Sequence, residues 1–264
     1  MTVALIDNGS LEPAAHAQLR VLAAELSVRV GLAVEPVSWK HSDRIAGLGA
    51  HTLAPWLREK FAAGEREFLL VPFFISAQGA IGSALRADLE SLRRELGEFH
   101  FAFTAGLAAH GALPVILADN VRATVAENNL LAPAVIVVDH GGPSVVSAAL
   151  RDRLTTELRP VLGAEITSLR AASMEGAHGP LLADVLRDWS FSSGDVVIAP
   201  LFLAPGRHAG PAGDLAQIAR AAEAAAPALR CHFTALVGGH PRVVAELALA
   251  LRAALAEFFV PSHA

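Results

Sequence analysis

The 264-residue chain has no tyrosine, a single cysteine and three tryptophans. One cysteine, Cys231, excludes an intrachain disulfide and every zinc or iron–sulfur motif built from several thiolates. It falls in a predicted strand over 229–237 and reads as a small buried hydrophobe. Few side chains can stack on bases, and a formal net charge of −5 supplies no basic stripe for a phosphate backbone. Nucleic acid is therefore not an expected partner. Hydrophobic residues reach 53%, yet none of their runs approaches the ~20 residues of a spanning helix, and the string 68–75 carries Pro72 inside it. Asp7 and Asn8 interrupt the first apolar run before it can serve as a leader, so no membrane association and a cytoplasmic location are expected. The chain also lacks G-x-S-x-G, H-E-x-x-H and G-x-x-x-x-G-K-[ST], the marks of nucleophile-elbow, zinc-protease and P-loop chemistry.

What the chain does have is a repetition. Four stretches of the first half return in order about 130 residues later, with separations that drift by a few residues as loop lengths would. Asp7-Asn8-Gly9-Ser10 returns as Asp139-His140-Gly141-Gly142, and Pro72-Phe73-Phe74-Ile75 as Pro200-Leu201-Phe202-Leu203. Ala87-Asp88-Leu89 returns as Gly213-Asp214-Leu215, and Phe103-Thr104-Ala105 with His110 as Phe233-Thr234-Ala235 with His240. At two places the second copy holds a histidine that the first lacks.

Between these landmarks, short apolar or β-branched runs at 3–6, 33–38, 68–74 and 99–104 alternate with helical spacing at 12–30, 52–63, 83–96 and 114–127. The rhythm recurs with strands at 134–138, 165–169, 195–203 and 229–237 and helices at 145–161, 179–189, 212–226 and 241–258. Strand followed by helix, repeated throughout, predicts an α/β fold of two similar lobes, each a four-stranded parallel sheet with helices on both faces. The polar, proline-ended segment 127–133 is the expected seam, giving an N-terminal lobe over 1–130 and a C-terminal lobe over 131–264.

In such folds chemistry collects beyond the carboxyl ends of the strands, where loops converge and helix N-termini offer free amides. His140 follows its strand directly and precedes two glycines, Gly141 and Gly142, which permit a tight turn and close approach of backbone to ligand. His208 lies in the loop Ala204-Pro205-Gly206-Arg207-His208 after another second-half strand, and Glu175 follows the strand predicted to end near Leu169. Two imidazoles and a carboxylate at one sheet edge suit a divalent metal such as cobalt, nickel, iron or zinc. Each residue also has a plainer reading. A histidine after a strand serves as a hydrogen-bonding turn residue, a loop glutamate as a solvated charge, and Arg207 as a solvated arginine. His110 and His240, present in both copies, read as turn elements before helices, whereas His41 and His51 fit either a ligand or a solvent-exposed role.

The segment Val137-Val138-Asp139-His140-Gly141-Gly142 resembles the HGS-type opening of the sirohydrochlorin chelatases. Pro200-Leu201-Phe202-Leu203-Ala204-Pro205-Gly206-Arg207-His208, with Asp214-Leu215 beyond it, is similar to their PLFL-x-x-G-x-H … D-[IL] motif. Met174-Glu175 matches the family's acidic position and Gly238-Gly239-His240-Pro241 its LG-x-HP ending. The likeness is strong over 134–258 and weak over 1–127. It implies a lyase that inserts Co²⁺, Fe²⁺ or Ni²⁺ into sirohydrochlorin or a related tetrapyrrole without a nucleotide, in cobalamin or sirohaem biosynthesis. A metal- or tetrapyrrole-binding carrier without turnover is the alternative. His140 and His208 would hold the metal and accept pyrrole protons, assisted by Glu175. Gly141, Gly142, Gly206 and Arg207 would line the substrate, and Arg207, Lys40 and Arg86 are candidates for its many carboxylates. The chain would act as a monomer, its two lobes standing in for a homodimer. It departs from the family pattern in Asn8 for the first-half histidine and in the histidine-free loop 76–82. It departs also in Gly142 where serine is usual, and in a His208–Asp214 spacing two residues longer.

Overall fold

The structure, a computed structural model, describes residues 1–45, 51–76, 80–188, 191 and 193–258. In chain order its elements are β1 (Thr2–Asp7), α1 (Pro13–Val30), β2 (Val34–Ser38), α2 (Leu53–Ala62), β3 (Glu67–Pro72), α3 (Ala80–Leu96), β4 (His100–Phe103) and α4 (Ala112–Glu127). They continue as β5 (Ala134–Gly141), α5 (Val145–Leu162), β6 (Ser168–Glu175), α6 (Leu182–Val185), β7 (Gly194–Pro200), α7 (Asp214–Ala225), β8 (Leu229–Phe233) and α8 (Arg242–Phe258). The strands form two four-stranded parallel sheets, ordered β2-β1-β3-β4 and β6-β5-β7-β8, as the alternating pattern predicts.

Each sheet is buried on both faces, which is why its central strands read as unbroken apolar runs. Ala4, Ile6, Phe68 and Leu70 close one cluster with Trp56 and Leu57 of α2 and Leu85 and Leu89 of α3. The alternate residues Val3, Leu5, Leu69 and Val71, equally buried, take the opposite face, which α1 and α8 cover. In the second sheet Ile136, Val138, Val196 and Ile198 pack on Leu182 of α6, Leu186 just after it and Leu215 of α7. Val135, Val137, Val197 and Ala199 occupy the face of α4 and α5. Each buried valine, leucine, isoleucine or phenylalanine here stabilises by roughly 1.5–3 kcal/mol through apolar burial, and each alanine by less.

Packing divides the chain at different points from the expected boundary between 130 and 131. One compact unit is Met1–His110 with Pro241–Ala264, and the other is Gly111–His240. Helix α4, from the first half, belongs with the second sheet: Asn120 Nδ2 donates to Ala235 O at 3.1 Å, and Arg122 pairs with Glu165 at 2.7 Å. Helix α8, at the end of the second half, packs on α1 and β3. Periodicity states which face of a helix is buried, and nothing in it states which sheet does the burying.

Local differences have similar causes. The strand expected at 165–169 lies later, at Ser168–Glu175, because a 3₁₀ turn occupies Gly163–Glu165 and because an edge strand buries only Leu169, Ala172 and Ser173. The helix expected over 179–189 reduces to the single turn of α6, and residue 189 lies outside the described residues, as do 77–79 of the loop after β3. No described helix is long and apolar enough to cross a membrane. Cys231 is half-buried, and burial together with the nearby Glu223 carboxylate pushes its thiol up to about 12, which leaves it inert.

Candidate metal centre at the ends of β5 and β7

Strand β5 pairs with β6 on one side and β7 on the other, so the loops leaving β5 and β7 part in opposite directions at the middle of the sheet. A crevice at such a switch point is where open α/β sheets bind ligands. His140 and His208 leave from these two strands, and their rings lie with centroids 4.6 Å apart and planes at 79°. The structure thus brings together the two imidazoles that the sequence singles out.

His140 and Glu175 prove to be strand residues rather than loop residues. The ladder between β5 and β6 runs on to Gly141 opposite Glu175, and the carboxylate Oε1 stands 3.7 Å from His140 Nδ1. Glycine is required where the strand ends meet. Gly141 has φ 83°, and a Cβ there would fall 1.7 Å from the carbonyl oxygen of Glu175. Gly142 has φ 119°, so the serine usual at this position would be strained.

The loop carrying His208 folds back on the start of α7. The N–H of Gly210 donates to Gly206 O at 2.9 Å, and that of Leu215 to His208 O at 3.2 Å. This fold takes up the extra spacing, because Asp214, the first residue of α7, still reaches His208 Nδ1 at 2.6 Å through Oδ2. With Nδ1–H donated to the carboxylate, the lone pair of His208 is left on Nε2. The carboxylate thereby orients the ring as such partners do for metal-binding histidines. Arg207 is exposed, and its carbonyl accepts the N–H of Asp214 at 3.4 Å. The rings remain open to solvent, with 44% of the His140 side chain and 31% of the His208 side chain exposed. Among the described residues no three His, Cys, Asp or Glu side chains converge as a metal cage. Glu175 flanks His140 and does not complete a three-donor set. Below the His208 loop, Pro211, Leu215, Phe233 and Leu236 line an apolar cavity of about 280 Å³.

Beneath the site lies Arg151 of α5, which the sequence reading passes over. Its side chain is 1% exposed and bonds Asp139 Oδ1 at 3.2 Å, the Ser173 hydroxyl, and His178 O at 3.2 Å. It therefore ties the end of β5 to the end of β6, one residue before His140 and two before Glu175. A sequence signal exists: Arg151 shares the buried stripe of α5 with Leu154, Thr155, Leu158 and Leu162, where an arginine demands a carboxylate partner. Asp214 was legible as a motif residue but not as the partner of His208. His240 Nε2 stands 3.5 Å from Asp119, which agrees with a structural role.

The CbiX family model matches residues 134–254. No curated protein matches the chain by sequence. Among solved structures, SirB from Bacillus subtilis with Fe³⁺ matches with a TM-score of 0.71 at 13% identity, covering 98% of each chain. CbiX, described as the terminal enzyme for biosynthesis of siroheme in denitrifying bacteria, matches with a TM-score of 0.64 at 21% identity, over 96% of this chain and 99% of that one. The sirohydrochlorin chelatase SirB from Bacillus subtilis subspecies spizizenii in complex with cobalt matches with a TM-score of 0.64 at 12% identity, over 96% and 94%. The fold is thus that of these chelatases.

Proposed function

We propose that the protein, whose residues 134–254 match the CbiX family model, inserts a divalent metal, Co²⁺ or Fe²⁺, into sirohydrochlorin or a related tetrapyrrole. The observation that carries this reading is the pair of adjacent imidazoles, one of them held by Asp214, at the switch point of a parallel sheet. The pathway would be that of cobalamin or sirohaem, the reaction a nucleotide-independent lyase step, and the two lobes the product of an internal duplication.

The metal is substrate here, and the chemistry of the residues suits its transit. A metal that must be handed on is better met by two imidazoles than by a closed cage, because each protein ligand has to be exchanged for a pyrrole nitrogen. As M²⁺ enters, two pyrrole N–H protons must leave. An imidazole lone pair serves first as ligand or as base, and the solvent-exposed rings pass the protons to water. Glu175 places a carboxylate oxygen 3.7 Å from His140 Nδ1, beside the ring that would take part in that transfer. Solved structures of the same fold contain Fe³⁺ and cobalt, in keeping with a metal as the substrate.

The test is anaerobic mixing with sirohydrochlorin and Co²⁺, Fe²⁺ or Ni²⁺, followed by absorption. Insertion faster than in protein-free controls is expected. A shifted spectrum without acceleration would select the second reading, a metal- or tetrapyrrole-binding carrier without turnover.

A further inference from the structure

Arg151 is buried in the unit that carries the imidazoles, and an apolar residue fills its place in the other unit. The two sheets close alike at this edge: Asp7 stands opposite Ser38 in the ladder as Asp139 stands opposite Ser173. A Cβ on Gly9 would fall 1.6 Å from the carbonyl oxygen of Lys40, just as one on Gly141 would fall 1.7 Å from that of Glu175. Helices α1 and α5 each start six residues after that aspartate and each run for 18 residues, and their seventh residues are Leu19 and Arg151. Leu19 is fully buried. The first sheet thus ends in the same backbone crossing with a leucine in the arginine's place, so the crossing itself requires no guanidinium. What accompanies Arg151 is the donor set, because Asn8 and Lys40 hold the places of His140 and Glu175.

The guanidinium reaches both ends of the segment that carries Glu175. Nη1 donates to Asp139 Oδ1 at 3.2 Å, to the Ser173 hydroxyl and to His178 O at 3.2 Å, while Nε and Nη2 donate to Asp152 Oδ1 at 2.9 and 2.7 Å. The Ser173 hydroxyl in turn donates to Asp139 Oδ1 at 2.8 Å. Beyond Ser173 the chain doubles back, since the Ser173 N–H donates to Pro180 O at 2.9 Å. Arg151 therefore holds residues 173 and 178 with Glu175 between them, and holds Asp139 next to His140. Gly179 makes room for it, because a Cβ there would fall 2.5 Å from Nη2. Above, a Cβ on Gly176 would fall 2.6 Å from the Gly142 nitrogen, so the two strand ends touch backbone to backbone. The side chains of His140 and Glu175 are 44% and 60% exposed, and packing against neighbours does little to place them. Where the backbone delivers them decides the 3.7 Å between imidazole and carboxylate.

We propose that Arg151 is a positioning residue for metal capture, fixing the His140 ring and the Glu175 carboxylate relative to each other through Asp139, Ser173 and His178. The inference rests on the reading that the substrate metal is met at this pair. Metal bonds to imidazole tolerate little error, forming at ~2.0–2.1 Å, so donors on two different strands serve one ion only if the strand ends are held together. A rigid fork of N–H donors suits that task, because one group bonds acceptors on two strands at once where a lysine ammonium acts as a point charge. At 1% exposure the guanidinium meets little competition from water for those bonds. An apolar side chain in its place would close the sheet, as Leu19 does, and leave the segment after Ser173 without its tie to Asp139.

The experiment is a titration of Co²⁺ alone into wild type, His140→Ala, Arg151→Lys and the double variant Arg151→Met/Asp139→Asn, read by the visible bands of the bound ion, with melting temperatures taken alongside. The double variant removes both buried charges together and should keep most of the wild-type melting temperature. Its Co²⁺ affinity should still fall about tenfold, the low end for a group that orients metal donors, and its bands should change in position and intensity. Arg151→Lys keeps a charge for Asp139 but not the fork, and should bind Co²⁺ several-fold more weakly than wild type. A role confined to stability would instead make affinity follow the melting temperature. Wild-type affinity and bands in the folded double variant would overturn the proposal; should that variant not fold, wild-type affinity in Arg151→Lys would do the same. So would Co²⁺ binding that survives His140→Ala unchanged. A wild type that binds Co²⁺ through His140 without inserting it into sirohydrochlorin would remove the chelatase reading, while the ratio of affinities would still decide this one.

Discussion

Replacing Asp7 by asparagine should stabilise the protein, and by an amount that depends on pH. Asp7 ends β1 with 8% of its surface exposed, and burial pushes its carboxyl from an ordinary 3.8 up to about 6, against the opposing effect of the Gly9 N–H at 3.0 Å. Its counterpart Asp139 has Arg151 at 3.2 Å, whereas the matching seventh residue of α1 is the apolar Leu19. The folded state holds its proton at Asp7 up to pH of about 6, and the unfolded chain releases it near 3.8. Between those values the unfolded state binds fewer protons, so stability falls as pH rises from 4 through 6 and then levels. The displacement corresponds to about 3 kcal/mol at most. Asparagine keeps an acceptor for Gly9 and carries no charge. Asp7→Asn should therefore match wild type near pH 4 and exceed it by up to about 3 kcal/mol at pH 8. Denaturant unfolding at pH 4, 6 and 8, followed through Trp39 and Trp56 in the same unit, measures the difference. A variant equally stable relative to wild type at all three pH values would refute the assignment of a desolvated, uncompensated carboxylate.

The other unit gives the opposite expectation for its buried charge. Arg151→Met should destabilise by roughly 3–5 kcal/mol because it strands Asp139, and adding Asp139→Asn should restore much of the loss in a thermal or denaturant melt. His140→Ala and His208→Ala should slow metal insertion by roughly 10²–10⁴-fold with little change in melting temperature, while Asn8→Ala costs far less; initial rates of Co²⁺ insertion decide it. Asp214→Ala should lower Co²⁺ affinity or the insertion rate by roughly 10–100-fold through release of the His208 ring, and Asp214→Asn, which retains an acceptor, by less. Wild-type behaviour in Asp214→Ala would show that the 2.6 Å contact does not orient the ring.

Alternation of short apolar runs with helical spacing determined the two parallel sheets, because a strand buried on both faces and a helix buried on one leave different periods in the chain. The order of motifs also pointed to His140 and His208, since a residue just past a strand end in a parallel sheet has only the loop edge to occupy. Assignment of α4 and α8 to sheets was decided by tertiary packing alone, their apolar faces fitting either sheet equally well on paper. So was the end of β6, where an edge strand buries too little to announce itself, which moved Glu175 from a loop onto the ladder. The partners of charges were least legible. Asp7 and Asp139 follow similar apolar runs, and only the folded chain shows that Arg151 meets one and that no cation among the described residues pairs with the other, because an ion pair depends on a separation in space that chain spacing does not encode.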